Sequence, residues 1–233
     1  MKLKTPYLLL LLVFLALGVY YPSLFAPYNS LDDQVMVHRL LNQTGFSLRS
    51  HFAPGGTYDY YRPLMTLTHE LDRYVGGLQE SFMHLLNVLL HALNVVLVFL
   101  LARRFGALTG RGGDLLPLLA AAIFCLHPVN TEAVNWISAR ADVLAGTFVF
   151  LSLLSLFTAL ERRSLLWGGA GAVALLLGAL CKETALFLLP GVFFMLCWRR
   201  EAPAPAWTGR WGILGGYGLA VAGYFGLRWG AFH

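Results

Sequence analysis

Long apolar runs separated by short polar stretches dominate this chain. Apolar stretches of roughly 18 residues or more are long enough to cross a bilayer as helices. Helices satisfy their own backbone hydrogen bonds in lipid, whereas open strands do not. The pattern therefore predicts an all-α polytopic membrane protein with about seven transmembrane helices. We place the spans at about 6–21, 82–102, 115–126, 143–160, 165–181, 184–198 and 211–229.

A loop of about sixty residues, 22–81, separates the first two predicted spans. Loops of that length usually carry structure of their own. The stretches LDDQVMVHRLL and RPLMTLTHELDRYV are both amphipathic; the first can begin at Asp32 or Asp33, and the second has Pro63 in its first turn. We expect two helices lying along the membrane interface, with Val35, Leu40 and Leu41 of the first facing the membrane.

Composition agrees with this class and excludes others. The chain has 233 residues, of which 58% are hydrophobic and 12% are charged, and its mean hydropathy is +0.64. The net charge of +5 does not indicate nucleic-acid binding, because Lys and Arg lie at the ends of apolar runs. Three cysteines without metal-ligand spacing argue against a zinc site or a disulfide framework.

The basic residues also predict the orientation. With the N-terminus in the cytoplasm, ten of the seventeen Lys and Arg residues fall in inner loops, as the positive-inside rule requires. Nine of the twelve acidic residues then fall on the outer side. The rule says little about carboxylates, so their sorting needs its own cause, and one candidate is a reaction site on the extracytoplasmic face of an inner membrane.

The stretch HPVNTEAVNWISARAD, residues 127–142, gathers a His, two carboxylates, an Arg and two Asn between two apolar runs. Pro128 ends the preceding span, and we expect a new helix that continues directly into the fourth span. On such a helix Glu132 and Arg140 lie two turns apart and can converge on one bound group. The alternative is an interfacial helix with capping residues and a structural ion pair.

Two further polar features lie on the same predicted face. Asp32 and Asp33 can serve as a general base or hold a divalent cation, or they can simply stabilise a helix N-terminus. Lys182 and Glu183 interrupt an apolar stretch in CKETALFLLP. Lys182 can bind a lipid-linked phosphate, or it can be a lysine at a span end paired with Glu183. The stripe His84, Asn87, His91 and Asn94 favours interhelical hydrogen bonding over metal binding.

Three stretches together resemble the membrane portion of the TMTC family, the transmembrane and tetratricopeptide-repeat O-mannosyltransferase-like proteins. They are YYRPLMTLTHELDRYVGGLQESFMHLLNVLLHALNVVLVFLL, HPVNTEAVNWISARADVLAG and CKETALFLLP. The resemblance extends from about Asn29 to Leu196. It implies a GT-C glycosyltransferase fold, with a seven-span module whose first outer loop carries acidic residues and two interface helices.

The resemblance also implies residue roles by position. Asp32 or Asp33 would form the catalytic acidic site of the first loop, with Glu132 a further catalytic candidate. The residues implied to bind the lipid phosphate or the substrate are His127, Arg140, Asp142, Lys182 and Glu183. No metal is identified; a divalent cation, where one is used, would lie at Asp32 and Asp33.

The implied reaction transfers a sugar from a polyprenyl-phosphate carrier to an acceptor hydroxyl of a protein or a glycan. The expected partners are the lipid bilayer, the lipid-linked sugar, the acceptor, and further membrane or tetratricopeptide-repeat subunits. We expect residues 1–233 to form a single membrane domain without such repeats, either a fragment or a bare core that works with partners. The alternatives are a non-catalytic membrane scaffold with the same fold and, less favoured, a small transporter or channel.

Overall fold

The computed structural model describes residues 4–28, 30–42, 45–52, 60–110, 112–198 and 208–232. We expect the stretch HFAPGGTYDYY to join the two loop helices and EAPAPAW to form a short inner turn; the first lies mostly outside these ranges and the second lies wholly outside them. Helices and turns make up the described residues, and no strand occurs among them. The α-helices of the described ranges are α1 (Thr5–Tyr20), α2 (Ser30–Asn42), α3 (Leu48–Phe52), α4 (Pro63–Gly76), α5 (Glu80–Leu108), α6 (Leu115–Leu126), α7 (Val129–Asn135), α8 (Arg140–Arg162), α9 (Leu165–Cys181), α10 (Leu189–Trp198) and α11 (Gly209–Phe232). Short 3₁₀ segments cover Tyr21–Phe25, Ile137–Ala139 and Glu183–Leu188.

Several of these helices match the dimensions of a bilayer. Thr5–Phe25, Glu80–Leu108 and Ile137–Arg162 are each long and apolar enough to cross one, and α6 with α7 adds a fourth crossing if the pair forms one span bent by 63°. Helix α9 and the segment Glu183–Cys197 are apolar but shorter. The described residues thus form an all-helical, multi-pass membrane protein with three to four candidate spans, and the number seven stays a prediction.

Helix α5 is central, because α1, α6 and α8 all pack against it. On its apolar side Phe99 packs in a cluster with Leu12 of α1. On its polar side the Asn94 amide donates to the carbonyl of Val143 at 2.9 Å, and the Asn94 oxygen accepts from the Thr147 hydroxyl at 2.8 Å. The predicted interhelical hydrogen bonding is confirmed for this asparagine, and it ties α5 to α8.

Small residues let α9 approach its neighbours closely. A Cβ on Gly171 would lie 2.4 Å from the Tyr217 hydroxyl, and one on Gly168 would lie 2.5 Å from Ile213. The Ser152 hydroxyl donates to the Gly171 carbonyl at 2.8 Å and lies 2.9 Å from the Tyr217 hydroxyl. A larger residue at position 171 would therefore push α11 away and break this buried hydrogen-bonded group.

Helix α4 has polar side chains on its buried side and apolar side chains on its exposed side, the reverse of a surface helix of a water-soluble protein. Its buried side chains include the polar residues Thr66, His69, Glu70 and Asp72. Its most exposed large side chains are apolar or aromatic: Leu71, Tyr74 and Val75. Such a helix is stable where lipid covers the apolar side and the protein interior supplies partners for the polar side. Pro63 occupies the first turn, as predicted.

The stretch 127–142 does not form the single continuous helix that the sequence predicted. The chain bends after α6 at Pro128, as expected, but α7 ends at Asn135 and Trp136 takes an extended conformation (φ −92°, ψ 119°). The Trp136 carbonyl accepts from the Ala139 amide at 3.1 Å, as in a 3₁₀ turn, and from the Asn87 amide of α5 at 3.1 Å. The α-helical ladder is thus interrupted at Trp136, and α8 starts anew at Arg140.

The first loop helix, α2, also differs from the prediction on one side. Val35 and Leu41 are exposed, as expected of a membrane-facing surface. Leu40 is instead buried, in a cluster with Met83 and Ile137. Met36 is buried in the same cluster, so α2 is anchored to the bundle through two apolar side chains rather than only resting on a surface.

Candidate functional site

A buried ion pair between Arg140 and Asp72 lies where α2, α4, α7, α8 and the turn after α9 meet. We call this end of the bundle, which also contains Asp33, Asp142 and Lys182, the motif end. Arg140 is 1% exposed and its guanidinium has three partners. It donates to an Asp72 carboxylate oxygen at 2.5 Å, to the Asn87 side-chain oxygen at 2.7 Å and to the Met83 carbonyl at 3.0 Å. A buried charge is tolerated when it is both paired and hydrogen-bonded. Arg140 therefore fixes the start of α8 against α4 and α5.

Asp33 joins the first loop to the same region. Its carboxylate is fully buried and accepts hydrogen bonds from the Ser138 backbone amide, at 2.9 Å, and from the Ser138 hydroxyl. These bonds satisfy a donor of the Ile137–Ala139 turn, just where the helix ladder is interrupted. The acidic first-loop motif thus contacts the 127–142 motif directly, although the two lie 105 positions apart in the chain.

His69 sits against the buried pair without a hydrogen bond of its own. Its Nδ1 lies 3.7 Å from the Asp72 carboxylate, and neither ring nitrogen has a hydrogen-bond partner among the described residues. Burial and the positive charge of Arg140 together lower the pKa of His69 to about 4, against the opposing effects of Asp72 and Asp33. The ring is therefore neutral at physiological pH.

Two more ion pairs lie at the motif end, and both are partly open to solvent. The Lys182 ammonium donates to both Asp142 carboxylate oxygens, at 2.6 and 2.7 Å. The Arg62 guanidinium donates to both Glu183 oxygens, at 2.8 and 3.2 Å. The hydrogen bond from Arg62 holds the pKa of the Glu183 carboxyl below its usual value. Lys182 and Glu183 are therefore not paired with each other, which was one interpretation of the sequence.

The backbone explains why these two neighbours point to different partners. Helix α9 ends at Cys181, and Lys182 is extended (φ −158°, ψ 132°) before the next turn begins at Glu183. Successive side chains of an extended segment point to opposite sides. Lys182 consequently reaches α8, and Glu183 reaches the residue just before α4.

The other predicted site residues lie on the surface. Asp32, His127 and Glu132 are all exposed. The His127 ring accepts a hydrogen bond from the Val129 amide at 3.1 Å, which caps the start of α7. Within the described part of the chain, the side chains of Asp32 and Glu132 show no hydrogen bond or ion pair, so both carboxylates are accessible.

The structure thus separates residues that the sequence grouped together. Arg140 points into the protein towards Asp72 and makes no contact with Glu132, because the helix that would have aligned them is broken at Trp136. Asp33 is buried while Asp32 is exposed, so the two do not form a carboxylate pair. Among the described residues no group of three or more His, Cys, Asp or Glu side chains could hold a metal ion.

Sequence reasoning missed several residues of this region, chiefly Asp72, His69 and Arg62. All three lie in or beside RPLMTLTHELDRYV, which the sequence analysis treated only as an interfacial helix. The helical spacing of Thr66, His69 and Glu70, opposite a side of Leu71, Tyr74 and Val75, could have indicated a polar side turned inwards. His51 and Glu70, which are hydrogen-bonded to each other, extend this polar set to α3.

An apolar helical bundle with a buried ion pair and two partly exposed ion pairs at the motif end defines a multi-pass membrane protein with a polar site at that end. The profile of the dolichyl-phosphate-mannose-protein mannosyltransferase family matches residues 63–224. The chain belongs to this family, within the TMTC-like members of the GT-C class. The matched region contains α4, the 127–142 motif and the Lys182–Glu183 turn.

Individual relatives support the same assignment. The chain is 40% identical over 124 residues to mouse protein O-mannosyl-transferase TMTC2, which covers 53% of this chain and 14% of the relative. It is 38% identical over 136 residues to Drosophila melanogaster protein O-mannosyl-transferase Tmtc1, covering 58% of this chain and 15% of the relative. The chain is 35% identical over 160 residues to human protein O-mannosyl-transferase TMTC4, covering 60% of this chain and 21% of the relative.

The chain therefore spans at most about one fifth of the length of these relatives. No solved structure shows significant similarity to the chain.

Proposed function

We propose that this chain is the catalytic membrane core of a glycosyltransferase that moves mannose from a polyprenyl-phosphate carrier to a protein hydroxyl on the extracytoplasmic face. One observation carries the proposal beyond the family assignment: three motifs far apart in the sequence are bonded to one another at the motif end. Asp33 is bonded to Ser138, and Asp142, four positions further on, is bonded to Lys182. A reaction centre needs such convergence, because its groups must be held together in a fixed geometry.

The reaction has simple chemical requirements. The acceptor oxygen forms a bond to the anomeric carbon as the bond from that carbon to the phosphate oxygen breaks. The hydroxyl proton passes to a carboxylate, and the electron pair of the broken bond leaves with the polyprenyl phosphate. A general base and a cation near the leaving phosphate therefore account for the chemistry.

We assign these roles according to accessibility. Glu132 and Asp32 are exposed and reach an acceptor without rearrangement, whereas Asp33 is fully buried and bonded to Ser138. Lys182 is the candidate cation for the leaving phosphate, with Asp142 holding its ammonium in place. Arg140 acts at a distance: it positions the start of α8, and with it Asp142, rather than touching the phosphate.

Reconstitution tests this proposal. The protein in proteoliposomes is given labelled polyprenyl-phosphate mannose, with polyprenyl-phosphate glucose as the comparison donor, and a hydroxyl-bearing acceptor peptide. Replacement of the general base among Asp32→Asn, Asp33→Asn and Glu132→Gln is expected to lower kcat about 100-fold or more. Lys182→Gln is expected to raise the KM for the donor about tenfold, since a charge-assisted contact to phosphate is lost.

A matched control comes from the opposite end of the bundle. Glu161 is also a partly exposed carboxylate paired with an arginine, Arg104, at 3.0 Å. Glu161→Gln should leave transfer unchanged. Normal transfer by all three carboxylate variants, or no transfer from any labelled donor by the wild type, would instead support the non-catalytic scaffold.

A further inference from the structure

A cleft of about 610 Å³ opens between α5 and α8, at the end of the bundle away from the motif end. We call it the arginine cleft, and the lining residues that matter here are Leu100, Arg103, Arg104, Leu151, Leu154, Thr158 and Trp167. On α5, Arg104 lies 17 residues beyond Asn87 of the motif end, a distance of roughly 25 Å along the helix axis. The cleft is therefore a separate region from the site described above.

The two arginines of the cleft are held in place but keep free donors. Arg104 donates from Nη1 to the Thr158 hydroxyl at 2.8 Å and to Glu161 at 3.0 Å. Arg103 lies 3.2 Å from Asp114 through Nε, and its side chain is 48% exposed. Within the described ranges Nη2 of both arginines makes no hydrogen bond. Two adjacent guanidiniums with unused N–H groups suit an anion with several oxygens, such as a phosphate.

The segments that border the cleft carry a surplus of positive charge. Residues 103–114 and 158–167 together contain five arginines and two acidic residues, an excess of three positive charges. The acidic residues present are partly exposed and do not neutralise this excess. Basic pockets between transmembrane helices bind the headgroups of anionic lipids. Charge complementarity therefore favours an anion as the ligand.

The apolar lining distinguishes a lipid from a soluble anion. On α8, Leu151 and Leu154 precede Thr158, and on α5, Leu100 precedes the two arginines. Both helices are long and apolar enough to cross a bilayer, so Leu151 lies about 10 Å deeper in the hydrocarbon than Thr158. Trp167 lines the same cleft, and tryptophan is typical of the headgroup level. The cleft thus changes from polar to apolar in the same direction as a phospholipid does.

We infer that the arginine cleft binds one anionic phospholipid from the leaflet opposite to the motif end. The phosphate of its headgroup accepts hydrogen bonds from Arg103 and Arg104, and Thr158 orients Arg104. One acyl chain lies along the leucines of α5 and α8. A zwitterionic phospholipid is a poorer ligand, because its cationic group meets the positive charge of the same segments. The lipid takes no part in the proposed transfer, so this inference does not depend on the proposed function.

Titration of the full-length, detergent-solubilised chain with dioleoylphosphatidylglycerol, followed by native mass spectrometry, tests the inference. One copy is expected to bind at least about tenfold more tightly than dioleoylphosphatidylcholine. The double replacement Arg103→Gln with Arg104→Gln is expected to weaken binding about 20-fold, because two charged contacts are lost. Arg103→Lys with Arg104→Lys keeps both charges and should weaken it only about two- to threefold.

Two further variants separate the cleft from bulk charge and from misfolding. Arg162→Gln with Arg163→Gln removes two charges from the same end of the bundle, but neither residue lines the cleft. This matched control should change the affinity by less than about twofold, since exposed charges at a distance are screened. Ala107 lines the cleft and is exposed, so Ala107→Phe should fill it, weaken binding at least about fivefold and leave the unfolding temperature in lipid-free micelles unchanged.

Several outcomes overturn the inference. Equal affinity for phosphatidylcholine removes the role of the anionic headgroup, and equal weakening by the Arg162 and Arg163 replacements assigns the effect to bulk charge. Unchanged binding by Ala107→Phe places the lipid elsewhere on the surface. Binding of glycerol 1-phosphate as tight as that of phosphatidylglycerol identifies the cleft as a site for a soluble anion instead of a lipid.

Discussion

The motif end contains two kinds of ion pair made from similar residues. The Arg140–Asp72 pair is almost fully buried, with side chains 1% and 2% exposed, and its guanidinium also donates to Asn87 and to a backbone carbonyl. The Lys182–Asp142 pair lies at the surface, with side chains 22% and 43% exposed. The buried pair cannot exchange its partner without leaving a charge unsatisfied, whereas water or a ligand can replace either partner of the open pair. Burial therefore separates the charges that fix the fold from those available for chemistry.

The largest loss of stability is expected when one partner of the buried pair is removed. Asp72→Ala leaves the Arg140 charge uncompensated in the interior and is expected to destabilise the protein by about 3–5 kcal/mol. Thermal unfolding in detergent measures the effect. The double replacement Asp72→Leu with Arg140→Met should recover much of the loss, because no unpaired charge remains. Wild-type stability of Asp72→Ala would show that the pair is not structural.

The next largest effect expected is a pH dependence of stability caused by the buried His69 ring. The unfolded state binds a proton at His69 near pH 6.5, but the folded state does so only near pH 4. Between these values the unfolded state holds more protons, so stability falls as the pH falls, by up to about 1.4 kcal/mol per pH unit. His69→Asn should flatten this slope in unfolding curves between pH 7 and 4.5. An unchanged slope would mean that other groups cause the acid sensitivity.

An uncharged buried contact provides an intermediate case. Asn94 bonds to Val143 and Thr147 across the α5–α8 interface. Asn94→Leu is expected to cost about 1 kcal/mol, since interhelical hydrogen bonds in membrane proteins are individually modest. Chemical unfolding in mixed micelles gives the value. A loss as large as that of Asp72→Ala would mean that burial alone, rather than buried charge, sets the cost.

The smallest expected effect on stability belongs to the open pair. Lys182→Gln should change the free energy of unfolding by less than about 1 kcal/mol, because water solvates the released Asp142 carboxylate. Thermal unfolding and the donor KM are measured on the same preparation, and only the KM should change clearly. A large loss of stability would place Lys182 with the buried group and remove it as a phosphate contact.

The class of the molecule could be predicted from composition and periodicity, since apolar runs have one stable form in lipid. The end of α6 just before Pro128 and the bonding role of Asn94 could also be predicted, because each depends on local chemistry. The break at Trp136 could not, since its carbonyl is bonded by Asn87 on another helix, a contact that local sequence does not show. The burial of Arg140 follows from that break and from Asp72, a residue 68 positions earlier. Contacts between residues so far apart in the chain produce no periodic pattern in the sequence.

The separation of Asp72 from Arg140 also has a consequence for biosynthesis. A ribosome adds about 5–20 residues per second, so Asp72 is synthesised roughly 3–14 seconds before its partner Arg140. During that time the polar side of α4 has no interior to face, and the nascent chain is kept in water or at the lipid headgroups. Docking of α4 must therefore follow insertion of α8, which makes this first-loop helix a late step in assembly despite its early place in translation.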